Sequence, residues 1–250
     1  MIKLFIADLD GCISFPFKTP DWGYLSAIRD YSEQSKKHRH IPPLSLCTGR
    51  PQPYVEAVAQ WLDVRIPVIF ESGGGIYHPP DNRIDWSPVY QQYKQEIDEL
   101  KAWVQQNIVR NYPGLMREFT KKTDVGLVHP KAEVINEIYP IIRDHVENNY
   151  QSFDIHFTEV SVNIILSSSN KGTGVTRVAE NLGIALDETA YIGDGFNDIP
   201  ALEIVKYPFA PKNCRPEVAE IASVVDAEAT EAVRHVYERI IDNNLNQSQH

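Results

Sequence analysis

Asp8 and Asp10 stand one residue apart at the point where a strand-like run, Ile2 to Ala7, stops and Gly11 turns the chain. In an open parallel sheet, chemistry is presented in the crevice beyond the carboxyl ends of the strands. A second acidic cluster, Asp194, Asn197 and Asp198 spaced by Gly193 and Gly195, follows another short run, Thr189 to Ile192. Two such strand ends facing one crevice crowd four carboxylates. Two like charges ~4 Å apart at an effective dielectric near 20 repel by about 4 kcal/mol, so a positive partner is needed. An all-oxygen carboxylate site with no nearby histidine or cysteine partner is expected to suit Mg²⁺ rather than zinc or copper.

The elements that must position these residues follow from periodicity. Strands are expected at 43–47, 67–70, 189–192, around Pro208 and at 223–225. Val55, Val58, Ala59 and Leu62 share one helical face, as do Val175, Val178, Ala179 and Leu182. That alternation predicts an α/β fold, a Rossmann-like parallel sheet. The middle of the chain reads differently, as helix, strand pair, helix, strand pair: a helix opened by Ser87-Pro88, strands at 115–120 and 125–129, a helix from Ala132, strands at 153–157 and 160–166. Pro140 is expected to kink or split the second of these helices. The expected organisation is a core from 1–75 and 168–242, an inserted α+β block at 76–167 forming a small antiparallel sheet with two helices on one face, and a polar, frayed tail at 243–250. The glycine run Gly73 to Gly75 and the serines Ser167 to Ser169 are the expected crossing points.

Composition bounds the partners. The 250 residues are 42% apolar, enough for a substantial core, and carry a net charge of −10. That field argues against nucleic acid as the main partner, while a few converging cations and backbone N–H groups can still hold a small anion. No apolar run approaches the ~18 residues of a membrane span, and with Met1 leading directly into an expected strand no secretory leader is expected. Cys12, Cys47 and Cys214 are odd in number and widely spaced, as in reduced thiols of a cytoplasmic protein; they are expected to pack.

Four short patterns occur in order: Asp8-Leu9-Asp10-Gly11, Thr48-Gly49-Arg50, Lys171-Gly172, and Gly193-Asp194 with Asn197-Asp198. Together they resemble the four motifs of the haloacid dehalogenase superfamily of phosphatases, and the inserted block resembles that superfamily's small α/β cap, as in phosphoglycolate, sucrose-phosphate and mannosyl-phosphoglycerate phosphatases. The resemblance implies an Mg²⁺-dependent phosphatase acting on a small phosphomonoester, a sugar phosphate or a phosphorylated acid. Asp8 is then the nucleophile that becomes an aspartyl-phosphate. Asp10 is the general acid and base, its backbone carbonyl helping to hold the metal. Asp194 is a direct ligand and Asp198 completes the acidic set, orienting the ion or its water from behind. Thr48, Gly49, Arg50, Lys171 and Asn197 are the implied phosphate- and substrate-binding residues. Arg50 can equally brace its loop. Two departures stand out: Cys12 where threonine is usual, and Ser72 where asparagine often follows the glutamate. A phosphomutase on the same scaffold and a metal-holding module without turnover are the competing readings.

Weaker signals are weighed beside these. Gly172-Thr173-Gly174 lacks nucleotide-loop spacing, and His38 and His40 read as a solvated helix end rather than metal ligands. Arg117, Lys121, Lys122, His129 and Lys131 concentrate positive charge in the insert, where they either grip a second anionic group or serve solubility, and Asn163 is a comparable candidate.

Overall fold

The computed structural model describes residues 1–248. In chain order the elements are β1 (Leu4–Asp8), α1 (Trp22–Ser35), β2 (Leu44–Cys47), α2 (Gln52–Trp61), β3 (Val68–Phe70), β4 (Gly75–His78) and β5 (Arg83–Trp86). The insert follows: α3 (Pro88–Asn107), β6 (Met116–Arg117), β7 (Val125–Val128), α4 (Ala132–Asn149), β8 (Phe153–Phe157) and β9 (Ser161–Leu166). The chain then returns through α5 (Lys171–Leu182), β10 (Thr189–Ile192), α6 (Ile199–Leu202), β11 (Tyr207–Ala210), α7 (Pro216–Ala219), β12 (Ser223–Val224) and α8 (Ala229–Ser248).

β1 is buried along its whole length, as a central strand covered on both faces must be. Its alternate residues face different layers. Phe5 and Ala7 pack with side chains of α1, α2 and α8, while Leu4 and Ile6 pack with those of α5, α6 and α7. The eight-stranded sheet runs β12-β11-β10-β1-β2-β3-β4-β5, parallel from β12 to β3. β1 therefore lies between β10 and β2, so the first and fourth motifs leave adjacent parallel strands at the same edge.

The second sheet, β6-β7-β9-β8, is antiparallel and shares a separate apolar core with α3 and α4. Ile97, Leu100 and Val104 of α3 and Ile108 just beyond it are buried there, with Tyr93 partly buried against them.

Four expectations need correction. Residues 76–86 do not open the insert: β4 and β5 extend the large sheet as an antiparallel hairpin, because Ile76 and Tyr77 bury into the core layers. The outgoing crossing lies after Trp86, and Arg177 of α5 fastens the hairpin by donating to the carbonyls of Gly73, Asp85 and Trp86. Pro140 does not split α4, which runs unbroken with Ile135, Ile138, Ile142 and Val146 buried on one side. Ser87 precedes α3 without a side-chain cap bond. Finally, residues 243–248 are the end of α8. Asn244 is fully buried there, accepting from the Ile2 N–H and donating to the carbonyls of Ile2 and His40; 249–250 lie outside the described residues.

Candidate active site

Asp8 ends β1 with its carboxylate buried, and Gly11 turns the chain at φ +90° three residues later. That glycine is a steric requirement as well as a turn: a Cβ there would lie 2.1 Å from Asp194 Oδ2. The first and fourth motifs are thus pressed together. Lys171, first residue of α5, is held in place by the Asn170 capping box and is 1% exposed. Its ammonium donates to Asp8 Oδ1 at 2.6 Å and to Asp198 Oδ1 at 2.7 Å.

Asp198 is turned inward. Tyr191 donates to its Oδ1 at 2.6 Å, and the backbone N–H groups of Asp194 and Gly195 donate to its Oδ2 at 3.2 and 3.0 Å. Both of its oxygens are engaged in building the loop that carries Asp194. Asp10, by contrast, is held by the Arg50 fork, Nε to Oδ2 and Nη2 to Oδ1, both at 2.8 Å. Such a bidentate pair fixes orientation as well as charge. Thr48, the first residue after β2, is fully buried, and its Oγ1 accepts from the Arg50 N–H at 3.0 Å, leaving its hydroxyl proton to donate elsewhere.

Lys171 offsets Asp8 and Asp198, and Arg50 offsets Asp10. Asp194 has no cationic partner among the described residues. Burial, with Asp198 adding to it, pushes its carboxyl up to about 7. Burial and Asp198 likewise push Asp8 well above the usual carboxylate range, against the pull of Lys171. Ligand atoms of Asp8, Asp194 and Cys12 lie within 4.8 Å of one another. Burial first, then Asp194, drives the Cys12 thiol well above its ordinary range, so it stays protonated and only the hard oxygens suit a hard cation. The donor set fits Mg²⁺ between Asp8 and Asp194.

A cavity of about 460 Å³ opens above this cluster, between the large sheet and the face of the insert. Asp8, Asp10, Gly49, Arg50, Asp194 and Asn197 line it, whereas Thr48, Lys171 and Asp198 are not on its walls and lie packed at the same strand ends. Of the five cationic candidates in the insert, only Lys121 reaches the cavity. Arg117 donates to Gln105, the Lys122 ammonium lies over the Trp86 ring, and His129 accepts from the Lys131 N–H. Asn163 does line the cavity. The partners of Tyr191, Glu71 and Glu118 could not be read in the sequence, since a strand tyrosine or loop glutamate acquires a partner only through folding.

Residues 107–236 match the family of haloacid dehalogenase-like hydrolases. The chain belongs to that family. It is therefore a hydrolase, and relatives matching along almost its full length are named as phosphatases. A phosphoglycolate phosphatase of Methanothrix thermoacetophila is 37% identical over 97% of this chain and 96% of its own. One of Methanopyrus kandleri is 30% identical over 97% and 98%. Among solved structures, a haloacid dehalogenase-like hydrolase from Bacteroides thetaiotaomicron shares the fold at TM-score 0.72 and 17% identity, covering 96% of this chain and 100% of that one. The sucrose-phosphatase of Synechocystis shares it at TM-score 0.64 and 17% identity, covering 95% and 97%. Parallel core, inserted antiparallel cap and hydrolase class are thus those that the four motifs imply.

Proposed function

We propose that this hydrolase is an Mg²⁺-dependent phosphatase that cleaves a small phosphomonoester through an aspartyl-phosphate on Asp8. The observation that carries it is the arrangement of Asp8, Lys171 and Asp194 at one sheet edge: a nucleophilic carboxylate, a buried ammonium 2.6 Å from it, and a carboxylate lacking a positive partner. Full-length relatives named phosphoglycolate phosphatase support the same reading.

Asp8 attacks phosphorus, and the ester oxygen departs with a proton from Asp10. Asp10 must release one face from the Arg50 fork to do this, so the ion pair belongs to the resting enzyme. Lys171, the Thr48 hydroxyl and the backbone N–H of Gly49 stabilise the equatorial oxygens, with Arg50 and Asn197 at the walls. Asp10 then takes a proton from the attacking water, and phosphate leaves. Asp8 and Asp194 would hold the Mg²⁺, with Asp198 behind, and the bound ion supplies charge neutralisation at the transferring phosphoryl group.

Phosphate release from a panel of phosphomonoesters, with Mg²⁺ and with EDTA, tests this. Turnover with Mg²⁺ that EDTA abolishes is expected, and Asp8→Asn should lose at least ~10³-fold in kcat. Unchanged turnover in that variant would remove Asp8 from the nucleophile's role.

A further inference from the structure

Strand parity sets what lies beneath the acidic cluster. Leu4 and Ile6 of β1 pack in the layer covered by α5, and Asp8, two residues on, presents its carboxylate to the same side, where Lys171 opens α5. Tyr191 of β10 belongs to that layer too: it pairs in register with Ile6 and is fully buried. Its hydroxyl donates to Asp198 Oδ1 at 2.6 Å, as short as a charge-assisted bond to a carboxylate. The same oxygen accepts from Lys171 at 2.7 Å, while Asp198 Oδ2 takes the N–H groups of Asp194 and Gly195. A carboxylate offers about four acceptor positions, and these donors fill them. Sterics hold it as well: a Cβ on Gly193 would lie 2.4 Å from Asp198 Cγ.

Lys171 stands between two carboxylates that compete for it. It donates to Asp8 Oδ1 and Asp198 Oδ1, and among the described residues no third acceptor takes its remaining proton. That proton is left for a phosphoryl oxygen. With the Tyr191 hydroxyl in place, Asp198 Oδ1 has two donors and draws less on the ammonium. Without it, Lys171 is the only donor to that oxygen, and the stronger pull of Asp198 displaces the positive charge from Asp8. Misplacement of a reacting group by about 1 Å can cost on the order of 10²-fold in rate. A buried tyrosine always needs some acceptor for its hydroxyl, and Tyr237 in the opposite layer shows the plain case, donating to the Pro42 carbonyl at 2.6 Å. Tyr191 differs in its acceptor, the carboxylate oxygen that also holds Lys171.

We propose that Tyr191 is a positioning residue for the phosphoryl-transfer step: acting through Asp198, it keeps the Lys171 ammonium centred between the nucleophile Asp8 and the transferring phosphoryl group. The inference rests on the phosphatase reading and adds to it a residue that does not line the cavity and touches neither substrate nor metal.

The test compares Tyr191→Phe, which keeps the ring and removes only the hydroxyl, with Tyr237→Phe and the parent chain on p-nitrophenyl phosphate. At saturating Mg²⁺, Tyr191→Phe should lower kcat at least tenfold with KM within about threefold, because the lost alignment is felt as charge develops on the phosphoryl group. Inhibition by vanadate, a mimic of the five-coordinate phosphoryl group, should weaken by a similar factor, while the Kd of inorganic phosphate from calorimetry stays within about threefold. Tyr237→Phe, which loses an equally short buried bond in the other layer, should match the parent in kcat. A kcat of Tyr191→Phe within about threefold of the parent, an effect confined to KM, or an equal loss in Tyr237→Phe overturns the proposal and leaves the phosphatase reading intact. If Tyr191→Phe is unfolded even with Mg²⁺ and phosphate, ligands that favour the folded state, the hydroxyl serves the fold alone and the proposal falls as well. A folded parent chain silent on p-nitrophenyl phosphate and on the whole panel of phosphomonoesters overturns both.

Discussion

Lys171 is a buried cation whose value depends on two buried anions. Removing one member of such a cluster leaves the others uncompensated, which typically costs about 3–5 kcal/mol. Lys171→Met should therefore lower stability to urea by roughly that amount as well as abolish turnover, and a variant as stable as the parent would show that Asp8 and Asp198 do not need it. Asp124 gives the sign of a pH effect. Burial, against the opposing pull of Lys121 and with Glu71 and Glu118 adding to it, pushes its carboxyl up to about 7. Between about pH 4 and 7 the folded chain keeps a proton that the unfolded chain has released, so stability falls as pH rises through that window, by up to about 1.4 kcal/mol per unit. Asp124→Asn should flatten the slope of unfolding free energy against pH by that share, and an unaltered slope would count against it.

At the scale of elements, the segment leading into β7 is hydrogen-bonded to the core through the Glu71 carboxylate. Glu71 Oε2 accepts from the backbone N–H groups of Lys122 and Thr123 and from the Thr123 hydroxyl, at 2.9, 2.7 and 2.7 Å. Glu71 follows β3, so a strand of the large sheet fixes the turn that aims Lys121 into the crevice. Hydrogen bonds to a charged group contribute about 1.5–3 kcal/mol each at most when the partner is left buried. Glu71→Ala should speed amide exchange across residues 118–126 by tenfold or more while protection in β1 and β10 stays high. Unchanged exchange in that segment would mean that the turn is held by its own sheet.

For the molecule as a whole, the proposed Mg²⁺ site makes stability a test of metal binding. A ligand that binds only the folded state stabilises it by about 2.7 kcal/mol at a hundred times its Kd. Saturating Mg²⁺ should raise Tm by several degrees over an EDTA-treated sample, and Asp194→Asn should remove most of the difference. A Tm indifferent to Mg²⁺ would place the ion elsewhere or nowhere.

The amino-acid sequence by itself determined the order of the elements and the hydrolase family. Carboxylates at strand ends and alternating strand and helix periods are local properties, so Asp8, Asp10 and Asp194 could be picked out from their neighbours along the chain, whereas Lys171 entered only with the resemblance of the four motifs. Partner choice was not local. That Asp198 turns inward to Tyr191, that Arg50 grips Asp10 and that Lys121 is spent on Glu118, Asp124 and Asn163 depend on which surfaces meet. Lys171 and Asp8 are 163 residues apart, and Asn244 and Ile2 are 242 apart. Burying a polar group demands a partner whichever segment supplies it, and only the packed structure decides which one does.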